Sequence, residues 1–293
     1  MPLDPERLLH WPIPEVRGTL TRRDAMLYAL SVGIGQDPLD EGSLAFLDER
    51  RLVALPSLAV VLGYPGFWLG DPATGVDAVR LVHGEQSLTL HRPLPVEGVI
   101  VGRSRVTRLL DRGEGRGAIL YSERVILGED GTEYATLGSS TFLRGDGGFA
   151  RGRWEGDPRW GGETPRPHPE PPGPPGTVLD LATRPEAALL YRLNGDLNPL
   201  HSDPAVARRA GFERPILHGL CTFGVVCHAL VRALCGGDPA RLGAMAARFS
   251  APVFPGETIR TELWEEAGGA AFRARVVERD LVVVSNGRFR FAA

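Results

Sequence analysis

The residues whose types could do chemistry lie close together between positions 191 and 230. Asp196, Asn198 and His201 form a short polar segment, and Gly219 opens an apolar run that is typical of a helix. Asp and His side chains can exchange protons near neutral pH. The first residues of a helix offer unpaired backbone N–H groups to a negative oxygen. A base, an acid and an N–H donor together predict proton transfer beside a carbonyl group.

Structural roles compete with this interpretation. Asp196 could cap a short helix or stabilise the turn that follows it, and a single histidine such as His201 is more often a hydrogen-bonded structural residue. We expect His218 to belong to the helix start, and Asp203 to cap a helix over 204–210. Spacing alone leaves these interpretations open.

Zinc binding is a further alternative. The side chains of metal-ligand type in this stretch are His201, Asp203, His218 and Cys221. However, no compact Cys-x2-Cys or His-x3-His pair is present, and the cysteines suit a buried helix. We therefore predict no metal site.

Composition and charge are those of an ordinary globular protein. The 293 residues are 43% hydrophobic and 24% charged, with a formal net charge of −3. This charge gives no reason to expect nucleic acid or an acidic membrane surface as a partner. No apolar stretch is long enough to predict a membrane span, and no signal peptide is evident. The odd number of cysteines, 3, makes a disulfide framework improbable, so we expect a cytoplasmic protein.

Hydrophobic patterning predicts the same order of elements twice. In the first half we expect a helix over 21–34 with Thr21 as its N-cap, and a short buried helix over 56–63. The strands expected after them are 80–91, 97–110, 116–128 and 132–143. In the second half the expected helices are 183–193, 204–210 and 216–235. The expected strands are 240–252, 256–267, 270–279 and 281–291.

Local sequence echoes indicate a degenerate duplication. Asp37-Pro38-Leu39-Asp40 in the first half matches Asn198-Pro199-Leu200-His201 in the second. Asp40 stands where the second copy has His201, and nothing in the first copy matches Asp196. We therefore predict one active site per chain, in the second half of an α+β fold.

A stretch rich in glycine and proline separates the two halves. Such a composition predicts an inter-domain linker. The predicted domains are 1–144, a degenerate repeat that helps to bind substrate; 145–177, the linker; and 178–293, the catalytic repeat.

Several runs are similar to those of a known family. In the second half they are Tyr191-Arg192-Leu193, Gly195-Asp196, Asn198-Pro199-Leu200-His201, Asp203-Pro204, Ala210-Gly211-Phe212 and Pro215 to Thr222. In the first half they are His83-Gly84-Glu85-Gln86, Arg92-Pro93-Leu94-Pro95 and Phe142 to Phe149. Together they resemble the two-repeat form of the MaoC-like, or hydratase 2, family of enoyl-CoA hydratases. That family includes the hydratase domain of the peroxisomal multifunctional enzyme type 2.

The resemblance implies a fold and an activity. The fold is a double hot-dog, in which the antiparallel sheets of two repeats wrap around central helices. The activity is the reversible syn hydration of trans-2-enoyl-CoA to (3R)-3-hydroxyacyl-CoA, a reaction of fatty acid metabolism. An acyl-CoA is the expected partner, a homodimer is left open, and no organic cofactor is expected.

The resemblance also implies roles for individual residues. Asp196 and His201 share the acid–base work, Asn198 fixes their loop, and the backbone N–H of Gly219 holds the thioester oxygen. The positions that match the family's ligand contacts are His83, Gly84, Arg112 and Phe249. At Arg112 a lysine is more familiar in the family, and a planar guanidinium contacts phosphate differently from an ammonium.

Three other functions remain open. The same residues could dehydrate a (3R)-hydroxyacyl group carried on acyl carrier protein instead of CoA. A hot-dog thioesterase would direct water at the thioester carbonyl, but the set of Asp196, Asn198 and His201 argues against it. A non-catalytic acyl-CoA-binding protein would not need this acid–base pair.

Overall fold

Ten strands form one antiparallel sheet in the computed structural model, which describes residues 3–152 and 154–293. The strands of the first half are β1 Val16–Leu20, β2 Leu81–Leu90, β3 Gly98–Asp111, β4 Ala118–Gly128 and β5 Glu133–Leu143. Those of the second half are β6 Thr177–Ala182, β7 Leu242–Phe249, β8 Thr258–Glu266, β9 Gly269–Val276 and β10 Leu281–Phe291. Their order across the sheet is β1-β3-β4-β5-β2-β7-β10-β9-β8-β6. Each half therefore supplies five neighbouring strands.

The two halves join where β2 pairs with β7. The register runs from Glu85 opposite Arg248 to Thr89 opposite Ala244. On the other side of β2, the pairing with β5 shifts between His83 and Glu85, which makes Gly84 the extra residue of a β-bulge. The bulge lies at the end of β2 that is nearest the helix start described below.

The helices are α1 Pro5–Leu9, α2 Arg22–Ser31, α3 Ala187–Tyr191, α4 Pro204–Arg209 and α5 Gly219–Cys235. Helix α5 is the long one, and its residues from Cys221 to Val231 are all buried. A helix that is apolar on every side must be surrounded by protein, and here the sheet and the other helices surround it. From the first half, the short 3-10 helix Pro56–Val60 packs against α5, and α2 contacts it through Tyr28 and Ser31.

Most of the predicted elements are present within a few residues. All eight predicted strands exist, and Thr21 caps α2 through a reciprocal bond with Asp24. Helix α5 begins at Gly219 and not at 216, because His218 is still extended and the N–H of Leu217 donates to Val253. The short helix over 56–63 is a 3-10 helix. Helix α1 and strands β1 and β6 were not predicted.

The glycine- and proline-rich segment is anchored to both halves. Among the described residues between β5 and β6, none lies in a helix or a strand. Trp160 is nevertheless fully buried in a second apolar cluster with Leu109 of β3, and Trp264 of β8 donates to the carbonyl of Gly173 at 3.2 Å. Within the described ranges, no helix is both long and apolar enough to cross a membrane.

Candidate active site

The polar segment folds into two linked turns that fix its side chains. Gly195 has φ 112°, a left-handed conformation that favours glycine, and it ends the 3-10 turn after α3. The Asp196 carboxylate accepts the backbone N–H of Asn198 at 3.2 Å. The Asn198 side chain in turn accepts the N–H of Leu200 at 3.0 Å and caps the 3-10 helix that ends at His201. The side chains of Asp196 and Asn198 therefore each hold a backbone N–H of this loop.

One hydrogen bond determines which nitrogen of His201 is free. Nδ1–H donates to the carbonyl of Ile216 at 2.8 Å, so Nε2 carries the lone pair. The side chain is buried, and burial lowers its pKa. His201 is therefore neutral at pH 7, with Nε2 available to accept a proton.

His218 links the segment to the start of α5. Its Nε2–H donates to the backbone carbonyl of Asp196 at 3.2 Å, and its ring stacks on that of His201 with centroids 3.7 Å apart. Burial, followed by the neighbouring His201, lowers the pKa of His218 to about 4. One side chain thus contacts both predicted acid–base residues and directly precedes Gly219. From the sequence alone, His218 was expected only to belong to the helix start.

Asp196, His201 and His218 each offer one possible ligand atom, and these atoms lie within 4.8 Å of one another. The zinc set considered above is not gathered, because Asp203 caps α4 and the Cys221 thiol donates to Ser31. The group of Asp196, His201 and His218 has the ligand types to bind a metal ion. Each histidine there already uses one nitrogen to donate to a carbonyl, so only one nitrogen per ring could bind it.

Gly219 presents a free donor beside this group. Its N–H has no hydrogen-bond acceptor among the described residues, as expected for the first residue of a helix. The Phe249 ring lies 3.6 Å from the point where a Cβ on Gly219 would stand, and the His83 ring lies 5.0 Å from the Phe249 ring. Phe249 and His83 therefore form a wall next to the helix start.

His83 lies beside Phe249 and near enough to Asp196 for the carboxylate charge to act on it. Its Nε2–H donates to the carbonyl of Glu85 at 3.0 Å across the bulge at Gly84. Burial lowers the pKa of His83 to about 4, while the Asp196 carboxylate opposes this shift. Gly84 is tightly enclosed, because a Cβ there would lie 2.9 Å from the Ser140 hydroxyl oxygen. An alanine there would require the Ser140 hydroxyl to move away.

Arg112 does not contact the site residues described so far. It is exposed at the turn between β3 and β4, where it donates to the Thr164 hydroxyl at 3.2 Å. Burial, followed by the charge of Glu85, raises the pKa of Tyr121, and the positive charge of Arg112 acts in the opposite direction. The structure does not place Arg112 against Asp196 or His201.

Two functional candidates were missed from the sequence. Tyr191 is buried, and its ring centroid lies 4.9 Å from that of His218. Arg124, in β4, points to the inner face of the first-half sheet, where its Nη2 donates to the carbonyl of Val60 at 2.6 Å. A signal existed for Arg124: strand alternation puts it in line with the buried Leu120 and Ile126.

A sheet that wraps one buried helix, with a carboxylate and an imidazole at the start of that helix, defines a class. It is the architecture of hot-dog hydratases and dehydratases. Two family models match the chain, "MFE-2 hydratase 2 N-terminal domain" over residues 19–145 and "MaoC like domain" over residues 168–286.

Individual relatives match over nearly the whole chain. Peroxisomal enoyl-CoA hydratase 2 of Arabidopsis thaliana is 38% identical, over 95% of this chain and 92% of the relative. The crystal structure of a MaoC-like dehydratase from Phytophthora capsici superposes with a TM-score of 0.83 at 34% identity, over 98% of each chain. A protein from Mycobacterium tuberculosis whose structure is described as a double hotdog fold has a TM-score of 0.58 at 20% identity, covering 96% and 94%, which supports the fold alone.

The chain therefore belongs to the MaoC-like hydratase 2 family, in its two-repeat form. The family resemblance and the double hot-dog fold predicted from the sequence are confirmed. The named relatives are hydratases and dehydratases, that is, hydro-lyases.

Proposed function

We propose that this protein catalyses the reversible syn hydration of a trans-2-enoyl-CoA to a (3R)-3-hydroxyacyl-CoA. The observation that carries the proposal is the grouping of the Asp196 carboxylate and the free Nε2 of His201 beside the unpaired N–H of Gly219. In the proposal, the two side chains bind the water molecule and the Gly219 N–H binds the thioester oxygen.

In the proposed reaction, a water molecule lies between Asp196 and Nε2 of His201. As its oxygen bonds to C3 of the substrate, the pair accepts one proton from the water. The electron pair of the C2–C3 double bond moves toward the thioester oxygen, and the N–H of Gly219 stabilises the developing negative charge. The enolate then takes a proton at C2 and the thioester carbonyl re-forms.

The protonation state of the site accounts for syn addition. Burial lowers the pKa of His201, so its Nε2 carries no proton at neutral pH until it takes one from the water. The proton delivered to C2 is therefore the one that the pair has just taken from water. Because both transfers pass through the same two side chains, oxygen and hydrogen add to one face of the double bond.

The remaining candidates position the substrate. His83 and Phe249 form the wall beside the thioester. Gly84 lets the backbone of β2 approach the substrate, because it has no side chain. Asn198 holds the loop and could contact the water. For Arg112 we propose a contact with a CoA phosphate outside the cleft, consistent with its exposed position.

One assay distinguishes the proposed reaction from its rivals. The purified protein is incubated with a trans-2-enoyl-CoA while the conjugated-thioester absorbance and free thiol are followed together. Loss of absorbance without thiol supports hydration, whereas thiol release indicates a thioesterase and no change indicates a binding protein. Asp196→Asn and His201→Gln should each lower kcat by about 10²–10⁴-fold. Full activity in both variants would remove these residues from the mechanism.

Dehydration is the same reaction in reverse, so the carrier is the second variable. The competing substrate is a (3R)-hydroxyacyl thioester of acyl carrier protein, and the relative named MaoC-like dehydratase supports the dehydration direction alone. Comparing the CoA and carrier-protein thioesters of one acyl group at equal concentration decides between them.

The compartment and the assembly state are proposed separately. We propose that the protein works in the cytoplasm, although several relatives, the one from Arabidopsis thaliana among them, are named peroxisomal, and that a homodimer forms. A fluorescent fusion imaged in cells tests the first, and analytical ultracentrifugation tests the second.

A further inference from the structure

The first repeat contributes a cation to the inner face of the sheet. Arg124 lies opposite the buried Leu137 in the pairing of β4 with β5. Its guanidinium carbon lies 5.4 Å from the Tyr64 ring centroid, and its Nη2 donates to the carbonyl of Val60. Inner-face positions of a sheet that wraps a core are normally apolar, so a charged residue there needs a reason.

The partners of Arg124 are all neutral. Within residues 3–152 and 154–293, no carboxylate lies within ion-pair distance of it, and its Nε is buried without a hydrogen-bond partner. Burial lowers the pKa of Arg124 only to about 10, so the side chain stays charged at neutral pH. A partly buried cation without an anion, and with one unused N–H, is costly to keep unless something else compensates it.

Arg124 and the Asp196 carboxylate act on the same three side chains. Burial is the largest influence on the pKa of three groups, Tyr64, His83 and Tyr191. For each of them the Asp196 charge raises the pKa and the Arg124 charge lowers it. Charges act on their neighbours over short distances in a protein, so these three side chains lie near both. The contacts agree, because Arg124 holds the end of the 3-10 helix Pro56–Val60, which packs against both α5 and β2. Its cation therefore lies on the first-repeat side of the elements that carry the site.

We propose that Arg124 binds a carboxylate carried on the acyl chain, so that the preferred substrate is an enoyl-CoA with a second acid group beyond C3. The inference rests on the proposed hydration, which places C2 and C3 at Asp196 and leaves the rest of the chain to run toward the first repeat. A plain alkyl chain would displace water from Arg124 without forming a hydrogen bond or an ion pair in its place. A carboxylate would neutralise the guanidinium and accept its unused N–H in a charge-assisted hydrogen bond.

A purely structural role is the competing explanation. The bond to Val60 and the contact with Tyr64 could simply fix the loop between residues 60 and 64. In that case Arg124 would affect stability and every substrate alike. Only a binding role changes the ratio between a carboxylate-bearing chain and a plain chain of the same length.

The test compares matched pairs of trans-2-enoyl-CoAs of increasing length, each pair ending in either a methyl group or a carboxylate. We measure kcat/KM for the native protein, Arg124→Gln and the control Arg103→Gln, an exposed β3 arginine paired with Glu15 at 2.6 Å. At one length the native protein should prefer the carboxylate. Arg124→Gln should reduce that preference at least about tenfold, which corresponds to ~1.4 kcal/mol, while the control keeps it.

Two results would overturn the proposal. One is a native protein that prefers the plain chain at every length, and the other is a preference that Arg124→Gln leaves unchanged. If Arg124→Gln does not fold, the binding of the saturated acyl-CoA pairs to the native protein is measured by calorimetry instead. Equal affinities for the methyl-ended and carboxylate-ended chains would then overturn the proposal. Those titrations need no turnover, so a failure of the hydration itself would be recognised separately.

Discussion

Replacing Gly219 by proline tests the helix-start N–H without touching a side chain. Proline has no backbone N–H, and it is well tolerated at the first position of a helix, because that N–H has no partner within the helix. The residue before a proline must be extended, and His218 already has φ −58° and ψ 136°. The backbone is therefore prepared for this substitution.

The expected loss can be worked from the geometry. The N–H of Gly219 has no acceptor in the part of the chain that the structure describes, so its removal breaks no hydrogen bond of the fold. If it holds the thioester oxygen in the transition state, its loss should lower kcat by about 10²–10³-fold, or ~3–4 kcal/mol of barrier. The unfolding midpoint should change little.

Gly219→Ala is the matched control for this variant. It keeps the N–H and adds a Cβ at 3.6 Å from the Phe249 ring, an ordinary van der Waals contact. We expect kcat within a few fold of the native value, measured as the loss of enoyl-thioester absorbance at saturating substrate. A folded Gly219→Pro protein with kcat within tenfold of Gly219→Ala would refute the proposed role of this donor.

The remaining predictions concern pH and metal ions. His228 is buried in α5, and burial lowers its pKa to about 4 from an ordinary value of 6.5. Between these values the unfolded chain binds a proton that the native state does not, so stability should fall as the pH falls from 6.5 toward 4. His228→Gln should make this loss smaller by up to ~3 kcal/mol in urea titrations at pH 7 and pH 4.5; an unchanged loss would show that another group is responsible. Hydration should hold its rate as the pH falls to 6.5 and decline only below it, because His201 must stay neutral; a decline already under way at pH 7.5 would contradict the lowered pKa. Dialysis against a chelator should leave the rate unchanged, and activity that zinc alone restores would instead assign Asp196, His201 and His218 to a metal.

The strands of the sheet could be predicted from the sequence because buried and exposed residues alternate along them. In β5, for example, Ala135 and Leu137 are buried while their neighbours are partly exposed, which is the period of two that the sequence shows. Strand β1 and helix α1 have too few residues for a periodic signal to appear. The burial of Trp160 was not predicted for another reason. It is one buried residue in a segment whose composition is otherwise typical of a linker.

The site was predicted only in part, for a physical reason. Asp196, Asn198 and His201 are close in sequence, so their association follows from local turns. His83 and Arg124 come from the first repeat, and only the pairing of β2 with β7 brings them to the second. Spacing along the chain does not show which strands pair. His83 was therefore predicted only from the family resemblance, and Arg124 was not predicted.

The most direct measurement is the stereochemistry of hydration in heavy water. A trans-2-enoyl-CoA is converted in D2O, and the relative configuration at C2 and C3 of the product is determined by NMR. Because the pair of Asp196 and His201 takes a proton from water and returns it to the same face, the deuterium and the hydroxyl group should add syn. Anti addition, or a mixture of both, would mean that the two transfers do not pass through this pair.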